Sequence, residues 1–306
     1  MTSPTYLFIS PHLDDAVLSC GGLIYRLIKA QCKVVVVTAF TADAPSDLAL
    51  SRLARRNHAA WGLRETPFAI RCLEDIQALG ELGAEHTHLG FLDAIYRTDS
   101  SQQLLYTKSV FSEPCPFDHE NLAKALSNSL RSVLISYKGK NPYIFCPLTI
   151  GGHVDHIIVR RVIQSVCVGM PIVYYEDFPY ASKRGVMRKW MNTNAKDDKL
   201  IPVVVPLITQ ETDARIASTA KYSSQLPVLF LSPLGRIREI VSSHLWSKTI
   251  PHSAQTLKAG RVWMESSVRS YLAQVGGERY WREGDAKNDA DLIHSALLTH
   301  VHEAIP

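Results

Sequence analysis

The sequence predicts an α/β fold, an open and mostly parallel sheet with helices on both faces. Residues 6–10 form a short apolar run that ends at Pro11, and residues 33–39 contain four consecutive valines, so both runs are predicted to be buried strands. Between them, residues 16–30 carry apolar side chains at helical spacing. A strand–helix–strand unit of this kind is right-handed and belongs to an open parallel sheet.

The rest of the chain continues this alternation of helices and strands. We predict helices over residues 47–61, 67–82, 117–134, 154–168 and 209–221, and strands over residues 86–91, 143–147, 172–175 and 203–206. Residues 94–116 are polar and irregular, which favours a long loop. The basic, polar stretch 180–200 is interpreted as a surface excursion or lid, and the pattern of residues 232–306 is too mixed to assign an element.

The composition is that of an ordinary globular protein. The 306 residues are 46% hydrophobic and 20% charged, enough for one main domain with a sizeable core. A net charge of +4 from scattered basic residues argues against nucleic-acid binding. None of the six cysteines forms a C-x-x-C pair, the start lacks a basic signal-peptide segment, and no apolar run approaches the ~20 residues of a membrane span. We therefore expect a reduced, cytoplasmic protein.

Two polar motifs follow predicted strands. The motif S-P-H-L-D-D at residues 10–15 lies where the first strand ends, and G-G-H-V-D-H at residues 151–156 follows the strand at 143–147. The carboxyl ends of parallel strands share one edge of a sheet, and open α/β sheets bind ligands at that edge. The two motifs are therefore expected to face one another.

The residue types in these motifs suit a metal ion. Imidazole and carboxylate groups are zinc ligands, and a catalytic zinc site keeps three protein ligands and one open position. His12 and Asp15 are three residues apart, and His153 and His156 repeat that spacing, so one histidine of the second pair completes the site. A metal ion there activates a water molecule for attack.

The remaining groups suit acid–base chemistry. Asp14 is placed to take the proton of the attacking water, and a charged His153 to stabilise the oxyanion and protonate the leaving amine. Asp155 would orient the His153 ring. The alternative is that Asp14 and Asp15 only favour a helix N-terminus. Two His–Asp clusters at two strand ends favour the metal site.

The motifs P-H-L-D-D and G-H-V-D-H, with G-G between them, resemble those of the PIG-L/LmbE-like deacetylases, which remove acetyl groups from N-acetylglucosamine-type substrates. The resemblance implies a Rossmann-like α/β fold, one catalytic zinc ion or another divalent metal, and a small N-acetylated sugar or glycoconjugate as substrate. By this resemblance the metal ligands are His12, Asp15 and His156, and the catalytic residues are Asp14, His153 and Asp155.

The resemblance covers about residues 6–225, and two late segments, 175–180 and 221–225, also look like parts of the family. Ordinary packing and helix termination explain those two segments equally well. We expect a deacetylase core over residues 1–225 and a C-terminal extension, residues 226–306, packed on the same domain.

Two further segments resemble the family's substrate-binding elements. R-C-L-E-D at residues 71–75 is similar to its R-x-x-E-D helix, and L-G-F-L-D at residues 89–93 to its L-G-x-x-D segment. In the family this arginine and this aspartate contact sugar hydroxyls, which implies that role for Arg71 and Asp93. The alternative for Arg71 is an i,i+3 helix pair with Glu74, stabilising by about a few tenths of a kcal/mol.

The chain departs from the family pattern at three positions. The first family motif is usually H-P-D-D-E, whereas this chain has Leu13 in place of the proline and Ala16 in place of the glutamate. Neither residue is a ligand, so we expect the metal site to remain. Some relatives carry a tyrosine that assists the transition state two places before the first histidine of the second motif. This chain has Gly151 there, so another residue does that work or His153 does it alone.

Three functions are compatible with the sequence. The first is zinc-dependent removal of an N-acetyl group from an amino sugar or glycoconjugate. The second keeps the metal but acts on a larger amide of a thiol conjugate or antibiotic intermediate, which the long tail and the stretch 180–200 would accommodate. The third is a non-catalytic nucleotide- or sugar-binding module, disfavoured because no G-x-G-x-x-G follows the first strand. The exact substrate, the native metal and the oligomeric state stay open.

Overall fold

The structure, a computed structural model, describes residues 4–62, 66–137, 142–194, 200–231 and 253–283. Its strands are β1 (Thr5–Ser10), β2 (Lys33–Ala42), β3 (Glu85–Leu92), β4 (Tyr143–Pro147), β5 (Ile172–Tyr175), β6 (Leu200–Val205) and β7 (Glu278–Glu283). Its helices are α1 (Asp15–Lys29), α2 (Arg52–Trp61), α3 (Pro67–Leu82), α4 (Pro116–Ile135), α5 (Val154–Val166), α6 (Val186–Asn194), α7 (Thr209–Thr219), α8 (Leu226–Phe230) and α9 (Ala254–Val275).

One sheet with the strand order β3-β2-β1-β4-β5-β7-β6 joins these elements. Strands β1 to β5 pair in parallel, so their carboxyl ends lie at the same edge. Strand β7 runs antiparallel to both of its neighbours, β5 and β6. The predicted fold class, a mostly parallel α/β sheet, is confirmed, and β7 is an addition that no sequence pattern indicated.

The alternation of side chains along β1 divides the apolar core between the two faces of the sheet. Tyr6 and Phe8 pack on one face, in a cluster with residues of α1 and α3. Leu7 and Ile9 pack on the other face, with residues of α4 and α5. Helices therefore cover both faces, which is the arrangement that a parallel sheet requires.

Some element boundaries differ from the predictions. Helix α2 begins at Arg52 and not at residue 47, because the Ser51 side chain caps it by accepting a hydrogen bond from the Ala54 N–H. Strand β6 spans Leu200–Val205 and not residues 203–206, because backbone pairing with Arg282 and Glu283 of β7 extends it back to Leu200.

The described part of the stretch 180–200, which includes residues 180–194, forms more regular structure than a surface excursion. It contains the 3-10 turn Tyr180–Ser182 and helix α6, while residues 195–199 lie outside the described chain. Trp190 of α6 is buried and lies beside Trp281 of β7, with ring centroids 6.0 Å apart. This apolar contact holds α6 against the sheet.

The C-terminal extension contributes α8, α9 and β7 to the described structure. The buried Glu278 carboxylate of β7 accepts hydrogen bonds from the N–H groups of Gly22 and Leu23 in α1. Residues 232–252 and 284–306, for which the sequence predicted no element, lie outside the described part, and the domain boundary at residue 225 stays a prediction. Among the described helices, none has the length and apolar character that a bilayer crossing demands.

Candidate active site

The two polar motifs meet at the carboxyl edge of the sheet. His12 follows β1, His153 and His156 follow β4, and these two strands are adjacent and parallel. The ring centroid of His12 lies 4.7 Å from that of His153 and 5.2 Å from that of His156. The fold thus brings together side chains that lie far apart in the sequence.

Asp15 lies between two of these histidines, at distances that suit ligands of one metal ion. The Asp15 Oδ2 atom lies 3.2 Å from His12 Nδ1 and 3.3 Å from His156 Nε2. Two ligands at about 2.0–2.1 Å from a tetrahedral zinc ion lie roughly 3.3 Å apart. His153 also offers a nitrogen, since donor atoms of His12, His153 and His156 lie within 4.8 Å of one another. His12 and His156 thus have two candidate third ligands, Asp15 and His153, and the predicted set with Asp15 stays a prediction.

Carboxylates hold the far side of both candidate imidazole ligands. His156 Nδ1 lies 2.5 Å from Asp177 Oδ1, and Asp177 Oδ2 accepts a 2.7 Å hydrogen bond from the Ile150 N–H. His12 Nε2 lies 3.0 Å from Asp155 Oδ2. Metal-binding histidines usually have their second nitrogen held in this way, which fixes the tautomer and the ring orientation.

The position of Asp155 bears on its predicted role toward His153. Its carboxylate contacts His12, the Ala94 N–H at 3.2 Å and Arg97 Nη2 at 2.6 Å, and it makes no hydrogen bond with the His153 ring in the described structure. His153 Nδ1 instead accepts a 3.2 Å hydrogen bond from the backbone N–H of Asp155, because His153 caps the N-terminus of α5. The hydrogen bond of the carboxylate thus goes to His12, and the predicted role of Asp155 toward His153 stays a prediction.

Asp14 is a buried carboxylate with few partners. It is 6% exposed, and its oxygens accept no hydrogen bond from any described residue. Arg71 Nη2 lies 3.9 Å from Asp14 Oδ2. Burial and the neighbouring charge of Asp15 raise the pKa of Asp14 to about 7. Asp14 stands at the N-cap position of α1 without making a side-chain capping bond, so capping alone does not account for it.

Two histidines of the cluster, His12 and His156, have raised pKa values and therefore carry positive charge at neutral pH. Burial alone would lower the pKa of His12, but hydrogen bonds with Asp15 and Asp155 raise it to about 9. Burial would also lower the pKa of His156, but the charge of Asp15 and the hydrogen bond with it raise this pKa well above its usual value. Burial and the charge of His12 lower the pKa of His153. Metal ligands must be deprotonated, so metal binding here would release protons.

A cavity of about 270 Å³, the catalytic cavity, adjoins these groups, and both Arg71 and Asp93 line it. The Arg71 guanidinium lies 4.8 Å from the ring centroid of Trp61 and 5.0 Å from that of Phe68. It makes no hydrogen bond with any residue that the structure describes. The alternative pairing with Glu74 is likewise not formed there.

Sequence reasoning did not single out three residues of this site. Asp177 lies in the segment 175–180, whose resemblance to the family was a usable indication. Arg97 lies in the irregular stretch 94–116, where no pattern pointed to it, and its side chain bridges Asp155 and Asp118. Tyr180 lines the catalytic cavity and lies in the 3-10 turn that follows β5, the last of the parallel strands.

Comparisons with known proteins report on the family and on the fold of this chain. The family model described as PIG-L, GlcNAc-PI de-N-acetylase, matches residues 7–167, more than half of the chain. A 2'-N-acetylparomamine deacetylase from Niallia circulans is 27% identical over 240 residues, covering 74% of this chain and 82% of that protein. The protein of the same name from Streptomyces fradiae is 30% identical over 181 residues, 58% of each chain. The crystal structure of a deacetylase in the teicoplanin biosynthesis pathway aligns with a TM-score of 0.69 at 25% identity, covering 92% of this chain and 100% of that one.

These matches confirm the predicted resemblance and the predicted enzyme class, a hydrolase acting on N-acetyl amide bonds. They also agree with a metal-dependent reaction and leave the non-catalytic binding module without support. The residue roles and the identity of the metal are separate questions.

Proposed function

Because the chain belongs to the PIG-L family of de-N-acetylases, we propose that it is a zinc-dependent hydrolase that removes the acetyl group from an amino sugar or a glycoconjugate. The observation that carries the proposal is the position of Asp15 Oδ2, 3.2 Å from His12 Nδ1 and 3.3 Å from His156 Nε2. The Asp14 carboxylate, which accepts no hydrogen bond from any described residue, lines the same cavity.

His12, Asp15 and His156 would hold the zinc ion. Zinc bound there supplies a Lewis acid that polarises the acetamide carbonyl and lowers the pKa of a water molecule. Asp155 and Asp177 act as positioning residues, since each holds the second nitrogen of one histidine. Another divalent metal with the same preference for nitrogen and oxygen ligands would fit this set.

Asp14 and His153 act on the amide itself. Asp14 accepts the proton of the attacking water and returns it to the amine nitrogen as the C–N bond breaks, which releases acetate and the free amine. His153 Nδ1 accepts the Asp155 N–H, so a neutral ring carries its proton on Nε2. That N–H donates to the carbonyl oxygen as negative charge develops there. This role differs from that of a charged acid, because the ring need not ionise.

Arg71 and Asp93 bind the sugar in this proposal. The buried guanidinium of Arg71 has no hydrogen-bond acceptor among the described residues, and sugar hydroxyls that enter the catalytic cavity supply such acceptors. The Asp93 Oδ1 atom accepts the Ile95 N–H at 3.1 Å, and Oδ2 lies 3.6 Å from His12 Nε2. This carboxylate is therefore held in place to receive a hydroxyl.

A larger amide, carried by a thiol conjugate or an antibiotic intermediate, is the second candidate substrate. A cavity of about 750 Å³, the adjoining cavity, lies beside the catalytic cavity and shares Phe111 and Tyr180 with it. Helix α6, within the stretch 180–200, lines this cavity with Lys189 and Trp190. A substituent carried by the sugar would fit there.

Metal analysis and acetate release together test the proposal. Purified protein should contain about one zinc ion per chain, and His156→Ala should lose it. His86→Ala is the matched control, because His86 is exposed on β3. Acetate release is then followed with N-acetylglucosamine, 2'-N-acetylparomamine and an N-acetylated glycopeptide. A wild-type chain that binds no metal and stays inactive with added zinc would contradict the proposal.

Three broader predictions stay part of the proposal. A reduced, cytoplasmic location is consistent with six unpaired cysteines and is tested by cell fractionation. The oligomeric state, which the sequence leaves open, is measured by light scattering. The division into a core over residues 1–225 and an extension is tested by expressing residues 1–225 alone.

A further inference from the structure

Tyr180 stands at the boundary of two cavities. It belongs to the 3-10 turn Tyr180–Ser182 that follows β5, and it lines both the catalytic cavity and the adjoining cavity. Among the described residues around the catalytic cavity it is the one tyrosine, and Asp14 and His153 line the same space. Its side chain therefore borders the same space as the groups that are proposed to act on the acetamide.

The Tyr180 ring is held in place by its neighbours. Gly151 has a φ of +100°, and a Cβ at that position would lie 3.0 Å from Tyr180 Cγ. The backbone therefore approaches the ring so closely that a side chain at this position would require the ring to shift. The Phe111 ring lies at 68° to it with centroids 5.9 Å apart, and Lys183 Nζ lies 4.6 Å from its centroid. A ring fixed in this way keeps its hydroxyl in one position before substrate arrives.

The Tyr180 hydroxyl is not used to stabilise the fold. Within the described residues it neither donates nor accepts a hydrogen bond, whereas the buried Tyr175 hydroxyl donates to the Ile9 carbonyl and that of Tyr222 to Asp75. Burial, and next the negative charge of Asp15, raise the pKa of Tyr180 above its ordinary value. The phenol is thus a neutral donor.

We infer that Tyr180 is a catalytic residue of the proposed reaction, on which this inference rests: its hydroxyl donates a hydrogen bond to the acetamide oxygen as negative charge develops there. Tyr180 keeps its proton throughout, since Asp14 takes the proton of the water and returns it to the amine. His153 and Tyr180 then form two neutral donors, and both line the catalytic cavity. Fixed donors of this kind stabilise an oxyanion because they need no reorganisation during the reaction.

The alternative is that Tyr180 only separates the two cavities. Tyr180→Phe distinguishes the two roles, because it keeps the ring and its packing and removes only the hydroxyl. If the hydroxyl is a donor, kcat/KM for the N-acetylated sugar that the wild type hydrolyses fastest should fall roughly 10²- to 10³-fold. Zinc content and the thermal midpoint should stay those of the wild type. Tyr174→Phe is the matched control, since its hydroxyl bonds to Gln164 and the residue does not line the catalytic cavity.

A second readout measures binding without turnover. The probe is an analogue of the same sugar in which a tetrahedral methylphosphonamide replaces the acetamide. Calorimetry should show that Tyr180→Phe loses affinity for this probe by the same factor as kcat/KM, while its affinity for the free amine product is unchanged. A residue that only separates the cavities would change both affinities alike or neither.

Failure of this inference can be told apart from failure of the proposed function. If Tyr180→Phe matches the wild type in kcat/KM and in affinity for the probe, the inferred role of Tyr180 is wrong. The proposed deacetylase function is then unaffected. If the wild type itself releases no acetate from any N-acetylated sugar and binds no metal, both are overturned.

Discussion

Two buried clusters of acidic side chains differ in how their oxygens are used. The metal-site cluster consists of His12, Asp14, Asp15 and His156. The helix-packing cluster joins α3 to the chain after α7 and consists of Glu74, Asp75, His88, Tyr222, Ser223 and Ser224.

In the helix-packing cluster every carboxylate oxygen has a donor. Glu74 accepts the Ser223 hydroxyl at 2.6 Å, the Ser224 N–H at 2.8 Å and the Ser224 hydroxyl at 2.6 Å. Asp75 accepts the Tyr222 hydroxyl at 2.7 Å and faces His88 Nε2 at 2.8 Å. Buried carboxylates that are satisfied in this way stabilise the fold.

The metal-site cluster leaves its acidic groups less satisfied. Asp14 has no donor among the described residues, and Asp15 Oδ2 is shared between two imidazoles and the His12 N–H at 2.9 Å. Burying such groups without full hydrogen bonding costs stability. Both clusters are buried, so their hydrogen-bond partners, and not burial, distinguish the proposed catalytic carboxylates from the packing ones.

The largest effect is expected for Asp14→Asn. Loss of the general base should lower kcat/KM roughly 10²- to 10⁴-fold. Because the Asp14 oxygens accept no hydrogen bond in the described structure, the free energy of unfolding should not fall. Acetate-release kinetics measure the effect on kcat/KM, and urea unfolding measures the effect on stability. Asp213→Asn is the control, because Asp213 is a half-exposed carboxylate that pairs with Arg269. Unchanged hydrolysis would remove Asp14 from the mechanism.

Asp177→Ala should weaken metal binding without touching a ligand. Its carboxylate holds His156 Nδ1 at 2.5 Å, and loss of such a partner typically lowers metal affinity by about 10- to 100-fold. Competition with a chelator of known affinity measures the change, and Asp213→Ala is the control. Wild-type affinity in Asp177→Ala would mean that the His156 ring needs no partner.

Glu74→Ala should have the opposite effect to Asp177→Ala. The variant should lose stability and keep its metal. The substitution leaves the Ser223 and Ser224 donors without their charged acceptor, at a cost of about 1.5–3 kcal/mol. Urea denaturation gives the free energy of unfolding, and elemental analysis gives the zinc content. A variant that keeps its stability but loses zinc would show that the two clusters are not independent.

The smallest effect is a pH dependence of stability from His88. Burial alone would lower its pKa, but the hydrogen bond with Asp75 raises the pKa to about 9, above the ordinary value of 6.5. A raised pKa adds stability that is fully present below about pH 6.5 and is lost as the pH rises through about 9. The difference in unfolding free energy between wild type and His88→Gln should therefore be largest near pH 6 and shrink by pH 10. A difference independent of pH would contradict the pairing.

The sequence by itself determined the fold class and the set of polar residues at the sheet edge. Buried strands have recognisable apolar runs, and His12, Asp14 and Asp15 follow the first of them directly. The end of a parallel strand has a fixed place in the sheet, so the position of the motif could be predicted. The same reasoning applies to residues 151–156, which follow β4.

Only the tertiary structure decided which of these groups are partners. Contacts between distant parts of the chain place Asp155 against His12 and Asp177 against His156. A contact of the same kind packs the Tyr180 ring on Gly151. Strand β7 likewise owes its place between β5 and β6 to backbone pairing with both. Local patterns report which face of an element is apolar and where it ends. They carry no information on which distant side chain fills a given space, and that choice is made by packing when the elements come together.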